Sequence, residues 1–218
     1  MLIKKFLHSC LLVEEGGQKL LIDPGTFAGI GQQLEAATFG PVDIILLTHK
    51  HPDHFDPVLV RALAELGPTV IITHDSLGKE VEAEGMEYEP IQAGETIEYG
   101  PFSLKGLPAP HGPIPTEVPP NLAYLINDKL MHTGDSLDVE VPAGLPVLAL
   151  PIAAPWLRLV DALDLAKKAK PKHVIPIHDA FIKDYMLDRM YKNMCAPMLT
   201  NSAIAFHPLG FGESLDLP

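Results

Sequence analysis

Apolar residues fall along this chain in short runs. "LLV" at 11–13 and "LLI" at 20–22 are followed by "VDIILL" at 42–47, "TVIIT" at 69–73, "LAYLI" at 122–126, "VLAL" at 147–150, "VIPI" at 174–177 and "AIAF" at 203–206. Gly, Pro and Asp bound these runs, which therefore read as strands. Two stretches carry the helical period instead. Behind Asp56, a good N-cap, and Pro57, a good first helical residue, Leu59, Ala62, Leu63 and Leu66 fall on one face. Leu159, Ala162, Leu163 and Ala166 repeat the i, i+3, i+4, i+7 spacing further on. Buried strands with few helices imply an α/β domain of sheets covered by helices.

Two segments need a different reading. "MLIKKFLHSCLLVEEGG" sets Lys4 and Lys5 ahead of apolar residues, but His8 and Ser9 interrupt the run and Glu14 ends it. It is too short and too polar for an export signal or a membrane span, and reads as a first strand. "GLPAPHGPIPTEVPPN" at 106–121 holds six prolines and two glycines without apolar periodicity, so it reads as a rigid loop. The 218 residues suit one domain spanning 1–218.

Charge narrows the partners. Lys plus Arg number 16 against 28 Asp plus Glu, a formal charge of −12, and no basic cluster is visible, so nucleic acid is not an expected partner, and with no spanning run neither is a membrane. The two cysteines, Cys10 and Cys195, form no framework, which fits a reducing, cytoplasmic setting. The only arginines are Arg61, Arg158 and Arg189.

The chemistry concentrates in "LLTHKHPDHFDP", residues 46–57. Three buried imidazoles in so short a stretch are costly unless something binds them. In extended backbone His49 and His51 point the same way and can grip one cation, while Asp53 and His54, at the turn into the helix, face a neighbouring point. The spacing suits two adjacent metal sites.

"THKHPDH" resembles the metal-binding motif of the metallo-β-lactamase superfamily. "LLIDPG" with Asp23 is similar to the superfamily's second-strand aspartate, which orients the metal loop; "APHG" supplies His111, "HTGDS" Asp135 and "IPIHD" His178, in the superfamily's order. The resemblance implies a four-layer αββα sandwich with two mixed sheets and helices outside. It also implies that His49, His51 and His111 hold one divalent ion, that Asp53, His54 and His178 hold a second, and that Asp135 bridges them. "FLHSCLLVE", with His8, and the short tail after "PIHDAF" are similar to the branch containing the ascorbate-6-phosphate lactonase and many small hydrolases.

The implied activity is hydrolysis of a small-molecule ester, lactone or phosphodiester by a hydroxide on the metal pair, with Asp53, His54 and Asp135 central to catalysis. Imidazole and carboxylate donors suit zinc first, with manganese or iron as alternatives. A nuclease or cyclic-nucleotide phosphodiesterase is a second reading, and a non-catalytic metal-binding or sensing protein a third. His8, Trp156 and Arg158 are the candidate substrate contacts, with Arg158 expected to hold any anionic group. His74, His132, His173 and His207 read as structural, and the oligomeric state stays open.

Overall fold

The computed structural model describes residues 1–27 and 35–218. In chain order the elements are β1 (Leu2–Lys5), β2 (Leu11–Glu15), β3 (Gln18–Ile22), β4 (Ile44–Leu46), α1 (Pro57–Ala64), β5 (Val70–Thr73), α2 (Asp75–Ala83), β6 (Glu89–Pro90), β7 (Thr96–Tyr99), β8 (Phe102–Pro108), β9 (Leu122–Ile126), β10 (Leu130–His132), β11 (Val147–Pro151), α3 (Leu159–Ala169), β12 (His173–Ile177), α4 (Asp184–Met190), α5 (Ala196–Thr200), β13 (Ala205–Phe206) and β14 (Ser214–Asp216). They form two seven-stranded mixed sheets, ordered β14-β1-β2-β3-β4-β5-β6 and β13-β12-β11-β10-β9-β8-β7.

Four layers follow from three apolar clusters. Ile3, Leu20, Ile44 and Ile72 of one sheet meet Phe102, Tyr124, Val147 and Ile175 of the other in a central core. On the outer face of the first sheet, Leu21, Ile45 and Ile71 pack with Leu59 and Leu63 of α1 and with Leu77 and Val81 of α2. Leu148, Leu150 and Val174 do the same for the second sheet with Ala162, Leu163 and Ala166 of α3 and with Leu199 of α5. This is the αββα sandwich. Strands such as β9 and β11 are buried at every residue because each sheet is covered on both sides.

Local signals account for the best-read elements. Asp56 Oδ1 accepts from the Val58 and Leu59 amides at 2.9 and 3.3 Å, and Pro57 opens α1 where no backbone donor is needed. Several elements depart from the sequence reading. The proline loop begins only after Pro108, because Gly106, Leu107 and Pro108 pair with Tyr124, Ala123 and Leu122 at the end of β8. The helices α2, α4 and α5 lie beyond the two read from periodicity, and a π-turn at Tyr191–Cys195 joins α4 to α5. "AIAF" keeps only Ala205–Phe206 as strand, since Ala203 takes a left-handed conformation at φ 59°.

The topology fixes where chemistry collects. β3, β4, β5 and β6 run parallel, as do β10, β11, β12 and β13. Their carboxyl ends open where ligands commonly gather in α/β sheets. No helix among the described residues is long and apolar enough to cross a membrane.

Candidate metal centre

Every candidate ligand follows the carboxyl end of a strand. Asp23 follows β3, Thr48 to His54 follow β4, His111 follows β8, Asp135 follows β10 and His178 follows β12. His8 sits in the tight turn between β1 and β2, closed by the Phe6 amide donating to the Cys10 carbonyl at 2.9 Å. Two groups of donor atoms result: His49, His51, His111 and Asp135, and beside them His8, Asp53, His54 and His178, with the ligand atoms of each group within 4.8 Å of one another. The seven residues of the metal expectation therefore meet at one place, with His8 added to the second group.

Outward hydrogen bonds set the imidazole tautomers. His54 Nδ1–H donates to Asp23 Oδ2 at 2.7 Å, His178 Nδ1–H to the Ala153 carbonyl at 2.6 Å, and His111 Nδ1–H to the Gly112 carbonyl at 2.6 Å. The Thr48 hydroxyl donates to Asp23 Oδ2 at 2.7 Å, so its oxygen accepts from His49 Nδ1–H at 3.0 Å. All four rings then turn an Nε2 lone pair inward. His49 Nε2 and His111 Nε2 lie 3.0 and 3.2 Å from His51 Nδ1, a convergence of nitrogens that a cation or proton must relieve.

Asp135 lies between the two groups. Its Oδ2 is 3.1 Å from His178 Nε2 and 3.3 Å from His111 Nε2, while Oδ1 is 3.0 Å from His54 Nε2. That last pair is buried, and neither atom has a hydrogen-bond partner. Burial disfavours an imidazolium at His54, yet Asp135 and Asp23 on either side raise its pKa well above the ordinary value. Burial likewise opposes charge on Asp135, but His54 and His178 outweigh it and hold the carboxyl well below its usual range. The geometry and charge both call for positive charge here, so the donor set fits divalent ions.

His8 has a different task. The Ala180 amide donates to its Nδ1 at 3.4 Å, so Nε2–H points at Asp53 Oδ2, 3.1 Å away. Burial lowers its pKa to about 4, keeping the ring neutral, and Asp53, despite its own partial burial, is held at about 2 chiefly by the His8 contact. His8, Asp23 and His178 all adopt left-handed backbone, at φ 62°, 47° and 60°, and the His178 amide donates to the His8 carbonyl at 3.2 Å across the two sheets. Such strain concentrates at functional sites. Gly25 is required beside it, because a Cβ there would overlap the Asp53 backbone.

A cavity of ≈ 270 Å³ opens over the donors, bounded by His51, Asp53, His111, Asp135 and His178 together with Trp156, Phe181 and the proline loop. Trp156 lies against Gly112, where any side chain would collide with the indole, and its Nε1–H donates to Asp135 Oδ2 at 3.3 Å. Arg158 does not reach this space. It precedes α3 and pairs with Asp161 one turn on at 2.6 Å, its side chain 79% exposed, so the expected anion contact is absent from the described pocket wall. A larger cavity of ≈ 520 Å³ against α3 holds no imidazole, so volume alone does not mark the site.

The four histidines set aside in the sequence have structural partners. His74 caps α2 and lies 3.2 Å from the Thr48 carbonyl, His132 Nε2–H donates to the Ser9 carbonyl at 2.9 Å, and His173 and His207 bond each other at 2.9 Å. Sequence reasoning missed Thr48, which carries Asp23 and His49 together, and Asn121, whose Oδ1 accepts from the Asp135 amide at 3.2 Å. It also missed Phe181 at the pocket mouth. Only "TH" ahead of the motif offered a signal, since a hydroxyl beside a ligand histidine is a natural outer partner.

Parallel-strand ends that present paired imidazole and carboxylate clusters over an open pocket define a class, the metal-dependent hydrolases built on an αββα sandwich. The comparisons agree. The β-lactamase superfamily domain matches residues 2–178. Protein Rv0786c of Mycobacterium tuberculosis is 33% identical over 189 residues, covering 84% of this chain and 85% of that one. The UPF0173 metal-dependent hydrolase TTHA1283 of Thermus thermophilus is 30% identical over 188 residues, covering 78% and 80%. The structure of Igni18, a metallo hydrolase from Ignicoccus hospitalis, superposes with a TM-score of 0.77 over 99% of this chain and 98% of that one at 19% identity. The chain belongs to the β-lactamase superfamily and is a metal-dependent hydrolase of the metallo-β-lactamase type.

Proposed function

We propose that the protein hydrolyses a small-molecule ester or lactone, with phosphodiesters as the second class of bond, using two divalent ions. His49, His51 and His111 would hold one, Asp53, His54 and His178 the other, and Asp135 would face both. The observation that carries this reading is the pair of donor groups meeting at Asp135, with four imidazoles locked in the tautomer that offers Nε2 inward. Bound there, two such ions supply a water-derived nucleophile near neutral pH and polarise the oxygen of the scissile bond.

The chain's own residues do the positioning. Asp23 and Thr48 orient His54 and His49, and the His8 ring, neutral at physiological pH, holds Asp53 through Nε2–H. Trp156 fixes Asp135 from the pocket side. Zinc is the first candidate on donor chemistry, ahead of manganese and iron. The charge of −12 supports a small substrate over nucleic acid, and the two unframed cysteines support a cytoplasmic setting.

The test is elemental analysis of protein purified without chelator, followed by a screen of chromogenic esters, lactones and bis-phosphate esters. About two ions per chain and turnover of an ester or lactone are expected, both lost in Asp135→Asn. A loaded Asp135→Asn protein with unchanged metal content and rate defeats the proposal, and efficient cleavage of long RNA transfers it to the nuclease reading.

A further inference from the structure

Among the described residues the pocket wall beyond the donors is uncharged. It consists of Ile114, Pro115, Thr116, Pro155, Trp156 and Phe181. Ile114, Phe181 and the two prolines offer no side-chain hydrogen bond, the indole Nε1–H is committed to Asp135, and Thr116 contributes one hydroxyl. Lysine and arginine are absent from the described wall, and residues 28–34 read "AGIGQQL", which contains neither.

Phe181 is 52% exposed, yet it is held in place. Its ring stacks edge-on to Phe27 at 5.3 Å and His8 at 5.2 Å and lies 5.4 Å from His178, which Trp156 also contacts at 6.1 Å. Beyond Trp156 the pocket meets a groove of ≈ 470 Å³ whose described lining includes the carboxylates of Asp138 and Asp161, the latter paired with Arg158 at 2.6 Å. An anionic tail leaving the site would meet the Asp138 carboxylate there, while the Arg158 guanidinium is already committed to Asp161. A phosphate or sulfate group held away from the scissile bond would lack the guanidinium or ammonium partner that such groups require.

We infer that this wall is a subsite for an uncharged apolar group of the substrate, an aryl or alkyl substituent seated between Trp156 with Pro155 and Ile114 with Pro115, and bounded at the mouth by Phe181. The inference rests on the proposed hydrolysis of a small ester or lactone and names the part of that substrate which the protein itself grips. An apolar group gains by leaving water for these surfaces, by about a factor of four for each methylene fully buried.

Trp156 is the chain's single tryptophan, so its fluorescence reports this wall without requiring turnover or metal. Metal-free protein is titrated with benzyl alcohol as the neutral probe and with inorganic phosphate as the anionic one. Benzyl alcohol should shift the emission saturably and phosphate should not. Ile114→Ala and Phe181→Ala, both in surface loops, should each weaken the benzyl alcohol response about fourfold to tenfold with the melting temperature unchanged. In the metal-loaded enzyme, kcat/KM along an acetate series from methyl to butyl ester should rise by up to about fourfold per methylene.

If no ester is hydrolysed but benzyl alcohol still shifts Trp156 and both variants weaken it, the subsite stands and the ester reading falls. If esters are hydrolysed at rates independent of chain length and benzyl alcohol leaves Trp156 unmoved, the subsite is overturned alone.

Discussion

Replacing Asp23 by Asn tests how the centre is organised without touching a candidate ligand. Asp23 is fully buried and accepts from the Thr48 amide at 2.9 Å through Oδ1, and from the Thr48 hydroxyl and His54 Nδ1, each at 2.7 Å, through Oδ2. Asn has the same shape and tolerates the left-handed backbone at φ 47°, so the substitution separates chemistry from fold. Its amide nitrogen cannot face the Thr48 N–H, where two donors would oppose, and must sit at the Oδ2 position. From there it donates to His54 Nδ1, and the imidazole proton moves to Nε2, toward Asp135 Oδ1 at 3.0 Å. A ring protonated at Nε2 no longer offers the inward lone pair.

Loss of a hydrogen bond to a charged group is worth about 1.5–3 kcal/mol. At about 1.4 kcal/mol per decade that corresponds to roughly a 10- to 150-fold weaker ion at the site containing His54, in line with the effect of outer partners on metal affinity. Competition against a calibrated chelator should show the ion at His54 weakened by that amount, with the ion at His49 weakened as well because the Thr48 hydroxyl loses its acceptor on Asp23, and ¹⁵N spectra of the histidines should show His54 carrying its proton on Nε2. If both ions bind as in the parent protein, or His54 keeps its proton on Nδ1, the tautomer argument is wrong.

Three further outcomes are expected. Asp179 Oδ2 accepts from Lys5 Nζ and from the Tyr191 hydroxyl, each at 2.7 Å, with the Lys5 and Asp179 side chains 3% and 5% exposed, so Asp179→Ala leaves a buried ammonium uncompensated. It should lose about 3–5 kcal/mol in urea unfolding, and adding Lys5→Met should restore part of it, whereas additive losses would deny the coupling. Burial lowers the pKa of His132 in the folded state from 6.5, so the unfolded chain takes up a proton that the native one does not. That contribution is complete above pH 6.5 and is lost as pH falls toward the folded value; in metal-free protein His132→Gln should flatten the stability slope between pH 7 and pH 5 by up to about 1.4 kcal/mol per pH unit, and an unchanged slope would count against it. Arg158→Ala should leave KM for neutral and anionic substrates unchanged, because the guanidinium is spent on Asp161 at the surface; a rise in KM confined to anions would return Arg158 to the pocket.

What the sequence determined by itself was whatever depends on near neighbours. Asp56 and Pro57 start α1 through bonds closed within three residues, and the spacing of His49, His51, Asp53 and His54 behind a strand already places four donors at one strand end. Asp23, His111, Asp135 and His178 were legible through resemblance, and the structure brings them to the same edge. The helices α2, α4 and α5 escaped because their apolar faces are narrow, and α4 has no buried residue to impose a period. The tertiary structure alone decided which way His54 and His178 face, since their acceptors, the Asp23 carboxylate and the Ala153 carbonyl, lie 31 and 25 residues away in sequence, whereas His111 and His49 bond the neighbouring Gly112 and Thr48. It also decided the substrate side. Arg158 and Trp156 are two residues apart, yet the turn into α3 sends one to solvent and the other onto Asp135, while Phe181 and Ile114 reach the same wall from opposite parts of the chain. A hydrogen bond or a helix cap is written in local spacing, but a pocket wall is a surface between sheets, and only folding assembles it.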